Sequence, residues 1–194
     1  MAEKNSLTVL GVSNHSDTER QPDDYYATDP KALEMLMEHI TFSHDVWEPC
    51  CGSGWLSKVL ADSGRDVKNS DIVNRANLSN FEIQDFLAIP EDYKNTRDII
   101  TNPPYKLSTQ IVRKALDISE NGVKIAMFLR LTFLEGQERR KLIFDSDPPR
   151  YVFPFSKRIF VAKDGIFPKG SAVAYCWIVW EKGYTGKPEL IWLN

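Results

Sequence analysis

The chain has 194 residues, 42% of them hydrophobic and 26% charged, a balance that suits a globular fold with one main core. A formal net charge of −3 and a pI near 5.7 exclude the broad basic surface of a dedicated nucleic-acid binder, so any basic patch has to be local. No apolar run approaches the roughly 20 residues that span a bilayer and residues 1–8 carry no secretory signal, so a cytoplasmic location without a membrane partner is expected. The three cysteines are an odd set with Cys50 and Cys51 adjacent, which makes a poor disulfide framework. Cys176, His15, His39 and His44 are too scattered for a zinc site, and no metal is expected.

Residues 1–22 are polar and turn-rich, which predicts a flexible arm ahead of a single domain over 23–194 with no separate target-recognition domain. Asp29-Pro30 reads as a cap with proline in a first helical turn, and Leu33, Leu36, Met37 and Ile40 then recur at helical spacing. A strand over 45–48 runs into the turn Glu48-Pro49-Cys50-Cys51-Gly52-Ser53-Gly54. A helix follows from Gly54, with Leu56, Val59 and Leu60 on one face and Gly64 as its stop. Further strands are expected over 67–73, 81–86, 98–101 and 123–131, and helices over 108–118 and 136–144. This alternation implies an α/β, Rossmann-like fold: a mainly parallel twisted sheet with helices on both faces and ligands at the carboxyl ends of its strands. Residues 151–155 and 172–180 read as a terminal hairpin that finishes the sheet with an antiparallel edge strand.

The glycine turn lets a ligand approach the backbone closely, and the amides that open the next helix can meet polar groups. It lacks the Lys-Ser/Thr ending of a phosphate loop and the third glycine of a dinucleotide fingerprint, and taken alone it is weak evidence that a plain tight turn also explains. Glu48 just before it favours a cationic group such as an amino acid's ammonium. Asp71, about twenty residues beyond the turn, has the offset of an acid that binds ribose hydroxyls. Asp85 and Phe86 together suit an adenine, the acid accepting its amino group and the ring covering its face. Each acid taken alone also fits a helix cap or loop residue.

The sharpest signal is Asn102-Pro103-Pro104-Tyr105 after the apolar strand Ile99-Ile100-Thr101. Consecutive prolines stiffen the backbone and lack amide hydrogens, leaving carbonyls for a ligand. The Asn102 side-chain oxygen and the Pro103 carbonyl form paired acceptors for the hydrogens of an NH2 group. An adenine or amide nitrogen is a poor nucleophile because its lone pair is delocalised. Two acceptors favour its pyramidalisation and stabilise the positive charge that develops as it attacks. Tyr105 offers a stacking face to a planar substrate, and a base in a duplex would have to flip out to reach it.

With these motifs the chain resembles the S-adenosylmethionine-dependent amino-methyltransferases, most closely the DNA adenine-N6 enzymes, including small phage-type members. The resemblance covers residues 25–180. Tyr25-Tyr26-Ala27-Thr28-Asp29-Pro30 is similar to the family's aromatic-x-Thr-Pro motif, with Asp29 intervening, and the glycine turn is similar to its Asp/Glu-Pro-x-Cys-Gly-x-Gly motif. The resemblance implies that Tyr26, Thr28, Glu48, Cys50, Gly52, Gly54, Asp71, Asp85, Phe86 and Asn102 border S-adenosylmethionine. It also implies that Asn102, Pro103, Pro104 and Tyr105 carry direct in-line transfer to adenine in DNA. The same tetrapeptide occurs in enzymes similar to RNA adenine or guanine and protein-glutamine methyltransferases, and a non-catalytic cofactor-binding module is the alternative of another class. Cytosine-C5 chemistry is disfavoured, since no cysteine nucleophile adjoins Pro103 in sequence.

The local basic candidates are Arg139-Arg140-Lys141, Lys157-Arg158, Lys163 and Lys169, each read first as solvated surface. The loop over 157–169 is the one that could touch a nucleic acid. Trp177 and Trp180 are read as packing on the last strand before any base-stacking role, and Phe153, Phe155, Phe160 and Phe167 as core before cleft.

Overall fold

A computed structural model describes residues 27–75, 78, 80–159, 161–162 and 173–194. The expected arm over 1–22, Tyr25 and Tyr26, Phe160 and Phe167, and most of the 157–169 loop lie outside these residues. A short strand, β1 (Ala27–Thr28), leads into α1 (Pro30–Met37). There follow β2 (Asp45–Glu48), α2 (Trp55–Asp62), β3 (Asp66–Asp71), β4 (Phe81–Ile83), β5 (Asp98–Thr101), α3 (Ser108–Ile118) and β6 (Lys124–Arg130). The remaining strands are β7 (Tyr151–Pro154), β8 (Val161–Ala162), β9 (Tyr175–Glu181) and β10 (Glu189–Leu190).

Eight strands form one mixed, mostly parallel sheet in the order β10-β7-β9-β6-β5-β2-β3-β4, in which β9 alone runs antiparallel to its neighbours. Alternate side chains enter opposite layers, as the two-residue period of a strand requires. From β6, Ile125, Met127 and Leu129 pack on the side of α3, while Ala126 and Phe128 pack with α1 and α2. From β9, Cys176, Ile178 and Trp180 join the first layer, and Tyr175, Trp177 and Val179 the second. Each large apolar side chain so buried contributes roughly 1.5–3 kcal/mol. The polar edges of the buried indoles are satisfied: Trp47 Nε1 donates to Ser70 Oγ at 2.9 Å and Trp177 Nε1 to the Ala32 carbonyl at 2.7 Å.

The helices start where their chemistry allows. Asp29 caps α1 by accepting from the Lys31 amide at 3.0 Å, with Pro30 at the first position. Asp98, buried at the start of β5, accepts the Ser43 and Lys124 amides at 2.7 Å each and ties three segments together beneath the sheet.

Several details differ from the sequence expectation. The antiparallel strand is interior rather than an edge, because β9 is a continuous apolar run buried on both faces and has to be flanked on both sides. The edge is β10, exposed and parallel to β7. β1 and β8 form a separate antiparallel ladder that pairs Ala27 with Ala162. β4 stops at Ile83, since Asp85 turns to cap a 3-10 turn over Phe86–Ala88 through the Leu87 amide. The helix expected over 136–144 is a short turn, Gln137–Arg139, followed by a π-turn, Arg140–Phe144. Trp177 and Trp180 are fully buried in opposite layers, which removes them as stacking platforms.

Candidate active site

The strand order reverses between β2 and β5. From β2 the sheet extends outward through β3 and β4, and from β5 through β6. The loops leaving the carboxyl ends of these central strands therefore diverge, and a cleft opens between them. Counted with the solvent at its open mouth, the space between them is about 810 Å3. The glycine turn forms one wall. Gly52 has φ of 52° and Gly54 of 76°, where a side chain would cost about 1–2 kcal/mol, and α2 starts directly after.

Thr28, Glu48, Cys50, Asp71, Asp85, Phe86, Asn102, Pro103 and Pro104 all line this cleft. The Gly52 amide donates to Asp71 Oδ2 at 2.8 Å, so the acid at the end of β3 also holds the turn in shape. The other oxygen of Asp71 lies 3.6 Å from the Arg75 guanidinium, itself part of the cleft wall. Asp85 is exposed at the rim, one oxygen accepting the Leu87 amide at 2.9 Å, and Phe86 packs edge-on against Trp47.

Glu48 is 2% exposed, and burial pushes its carboxyl up to about 8. Its Oε2 meets the Ser57 hydroxyl on α2, which also lies 2.5 Å from Asn69 Oδ1. Burial, reinforced by Asp71, drives the Cys50 thiol far upward. Burial and then Glu48 do the same to Cys51. Both cysteines line the cleft as neutral thiols, so neither supplies a thiolate nucleophile at neutral pH.

Asn102, Pro103 and Pro104 follow the end of β5 and form another part of the cleft wall. Tyr105 does not line the cleft with them. Its ring lies in the layer of α1 and α2, with the Arg130 guanidinium 4.8 Å over one face and the Tyr175 ring 5.8 Å away. Burial, then Tyr175, raises its phenol well above the ordinary range, and Asn102 is a further polar neighbour. Stacking of a planar substrate on the face that Arg130 covers therefore requires that side chain to swing away.

Other cleft residues carry no motif. Gln84 and Ile72 each follow a strand end, and Ile72 is half-exposed on the cleft just after Asp71. The adjacency of Gln84 to the Asp85-Phe86 pair is the one sequence signal that could have marked it. Among the described residues, Thr28 Oγ1 and Gln84 Oε1 are buried without a hydrogen-bond partner. The basic run after β6 is largely engaged internally: Arg139 donates to the Phe133 carbonyl at 2.8 Å and Arg140 pairs with Asp145 at 3.0 Å. Among the described residues no cluster of acids, histidines and cysteines could hold a metal, and no helix is long and apolar enough to cross a membrane.

No protein-family model and no curated protein sequence matches the chain. Solved structures do match its fold. A predicted O-methyltransferase from Agrobacterium tumefaciens superposes with a TM-score of 0.62 at 13% identity, over 85% of this chain and 86% of that one. A proposed class I S-adenosylmethionine-dependent methyltransferase from Listeria monocytogenes gives 0.62 at 13% identity, over 91% and 68%. A proposed RNA methyltransferase from Pyrococcus horikoshii gives 0.56 at 15% identity, over 84% and 90%. The architecture is thus the Rossmann-like one of these structures, and at such identities the likeness concerns the fold.

Proposed function

We propose that the chain transfers a methyl group from S-adenosylmethionine to the exocyclic amino nitrogen of adenine in DNA. The observation that carries this reading is the meeting, in one cleft, of a cradle of acidic and polar side chains and the acceptor motif Asn102-Pro103-Pro104. The cradle suits the cofactor residue by residue. Thr28 Oγ1 and Gln84 Oε1 are buried without a partner in the described chain, a cost of roughly 1–3 kcal/mol each that donors on a nucleoside would relieve. Glu48 suits the cofactor's ammonium, Asp71 its ribose hydroxyls, and Asp85 with Phe86 its adenine. Tyr26 belongs to the same proposed set by resemblance.

Bound there, S-adenosylmethionine supplies an electrophilic methyl on a sulfonium. The chain's own task is to hold the amine. The Asn102 side chain and the Pro103 carbonyl accept its hydrogens and stabilise the charge that grows on nitrogen. Tyr105, beside Asn102, steadies that amide and offers its ring to the base once Arg130 moves. The fold resemblance to structures described as methyltransferases supports methyl transfer, while the preference for DNA adenine rests on the motif. RNA is the second reading, favoured by the Pyrococcus neighbour's description.

The test is transfer of tritiated methyl from S-adenosylmethionine to DNA, RNA and protein, each followed by digestion. N6-methyl-2′-deoxyadenosine label in the DNA digest supports the proposal. Label in RNA or on protein glutamine moves the substrate, and cofactor binding without turnover on any acceptor leaves a binding module instead.

A further inference from the structure

The contacts beneath the glycine turn contain more oxygen acceptors than an ionised Glu48 can satisfy. Ser57 Oγ touches both Glu48 Oε2 and Asn69 Oδ1, the latter at 2.5 Å. A hydroxyl carries one hydrogen, so it donates to only one of them. Asn69 is oriented with Nδ2 towards the Val67 carbonyl at 3.4 Å and Oδ1 towards Ser57 at 2.5 Å, a spacing that suits an O–H···O bond and is short for an N–H···O bond. In this orientation the hydrogens are accounted for in a single way. The Glu48 carboxyl donates to Ser57, Ser57 donates to Asn69, and Asn69 donates to Val67. An ionised Glu48 would draw the Ser57 hydrogen to itself and leave Asn69 Oδ1 without a donor in a buried site.

The charges around Glu48 favour the same state. The acid that acts on it from β3 is Asp71, which disfavours a second negative charge. Cys50 and Cys51 in the turn are neutral thiols, and Arg75 is turned to Asp71 at 3.6 Å. Of the lysines on the adjoining elements, Lys58 on α2 pairs with Asp62, and Lys68 on β3 faces Glu82 and the Trp47 ring. From β5, Thr101 brings a hydroxyl and no charge.

We propose that Ser57 and Asn69 hold Glu48 as a neutral acid in the ligand-free protein, and that binding the cofactor's ammonium expels this proton to solvent. This rests on the cofactor reading above. The O–H bond of the carboxyl breaks, its electron pair stays on Glu48, and the carboxylate pairs with the incoming ammonium. Ser57 and Asn69 are positioning residues here, acting on the ligand through Glu48. Burial raises the Glu48 carboxyl in the same direction, against the downward pull of Ser57.

The experiment is calorimetric titration of the intact protein at about pH 6.5, where an α-ammonium is almost wholly protonated, in buffers of low and high ionisation enthalpy. S-adenosylmethionine and S-adenosylhomocysteine should each release close to one proton per site. Methylthioadenosine, which keeps the nucleoside and thioether but lacks the ammonium, should bind with almost none. Glu48→Gln, which mimics the neutral acid, should bind S-adenosylmethionine at least about tenfold more weakly with release near zero. Binding of S-adenosylmethionine without proton release, or equal release with methylthioadenosine, overturns the proposal while leaving the cofactor reading intact. Failure of all three ligands to bind refutes the cofactor reading itself and this inference with it.

Discussion

Replacing Glu48 by glutamine should make the ligand-free protein more stable at alkaline pH, against the usual expectation for a buried site residue. Burial raises the Glu48 carboxyl from 4.5 to about 8 in the folded chain. Between those values the unfolded chain has lost this proton and the folded chain keeps it, so folding becomes less favourable as pH rises. Glu48's contribution is complete below about pH 4.5 and falls by about 1.4 kcal/mol per pH unit up to about 8, roughly 5 kcal/mol in all. Glutamine has the same shape, can donate to Ser57 as the neutral acid does, and carries no such dependence. Urea unfolding of both proteins between pH 5 and 8, without ligand, measures the difference. The two curves should nearly coincide at the acid end and diverge towards pH 8, with the variant on top. Parallel curves, or a variant that is weaker throughout, would show that Glu48 is ionised in the folded state and would refute the reasoning.

Two further perturbations probe separate parts of the molecule. Asp71→Ala removes the acceptor of the Gly52 amide and a wall of the cleft, so cofactor affinity by calorimetry should fall at least about tenfold while far-UV circular dichroism is unchanged. Asp147 gathers Arg113 at 2.9 Å and Lys182 at 3.2 Å, and against the upward push of burial its hydrogen bonds to Arg113, Ser146 and Lys182 hold its carboxyl below the ordinary range. Its depressed value means that its stabilisation is present above pH 3.8 and disappears as pH falls through the folded value. Asp147→Asn should therefore cost about 1–3 kcal/mol at neutral pH, with the difference closing in acid-unfolding curves.

The parts of the site that the sequence made legible are those where chemistry and local structure coincide. An apolar strand running into a glycine turn, an acid at a fixed offset, and prolines after Ile99-Ile100-Thr101 each impose their own backbone, and all of them reach one cleft. Residues positioned by tertiary packing gave no such signal. Ser57 sits on the buried face of α2 beside Leu56 and Leu60, and its role depends on Asn69 from another strand. Tyr105 belongs to a motif, yet the side on which its ring packs is decided by Tyr175 from a distant strand, itself stacked on Phe128. From the sequence β9 is expected at the edge, although its unbroken apolar run is the mark of a strand flanked on both sides, and two-residue strands such as β8 and β10 are too short for any periodicity to reveal. The helix expected over 136–144 begins only after Gly136, whose φ of 116° lies outside helical values, and its widening into a π-turn from Arg140 leaves no mark in the sequence.

The central claim is that the cleft's two walls divide the work, the glycine turn holding the methyl donor and Asn102 the acceptor nitrogen. Single-turnover transfer of tritiated methyl to an adenine-containing oligonucleotide, with wild type and Asn102→Ala at saturating S-adenosylmethionine, tests it most directly. In Asn102→Ala, cofactor affinity should stay within about threefold of wild type while the transfer rate falls by about 10²–10³. Equal transfer rates in the two proteins, or label recovered on carbon or oxygen instead of an amino nitrogen, would contradict it.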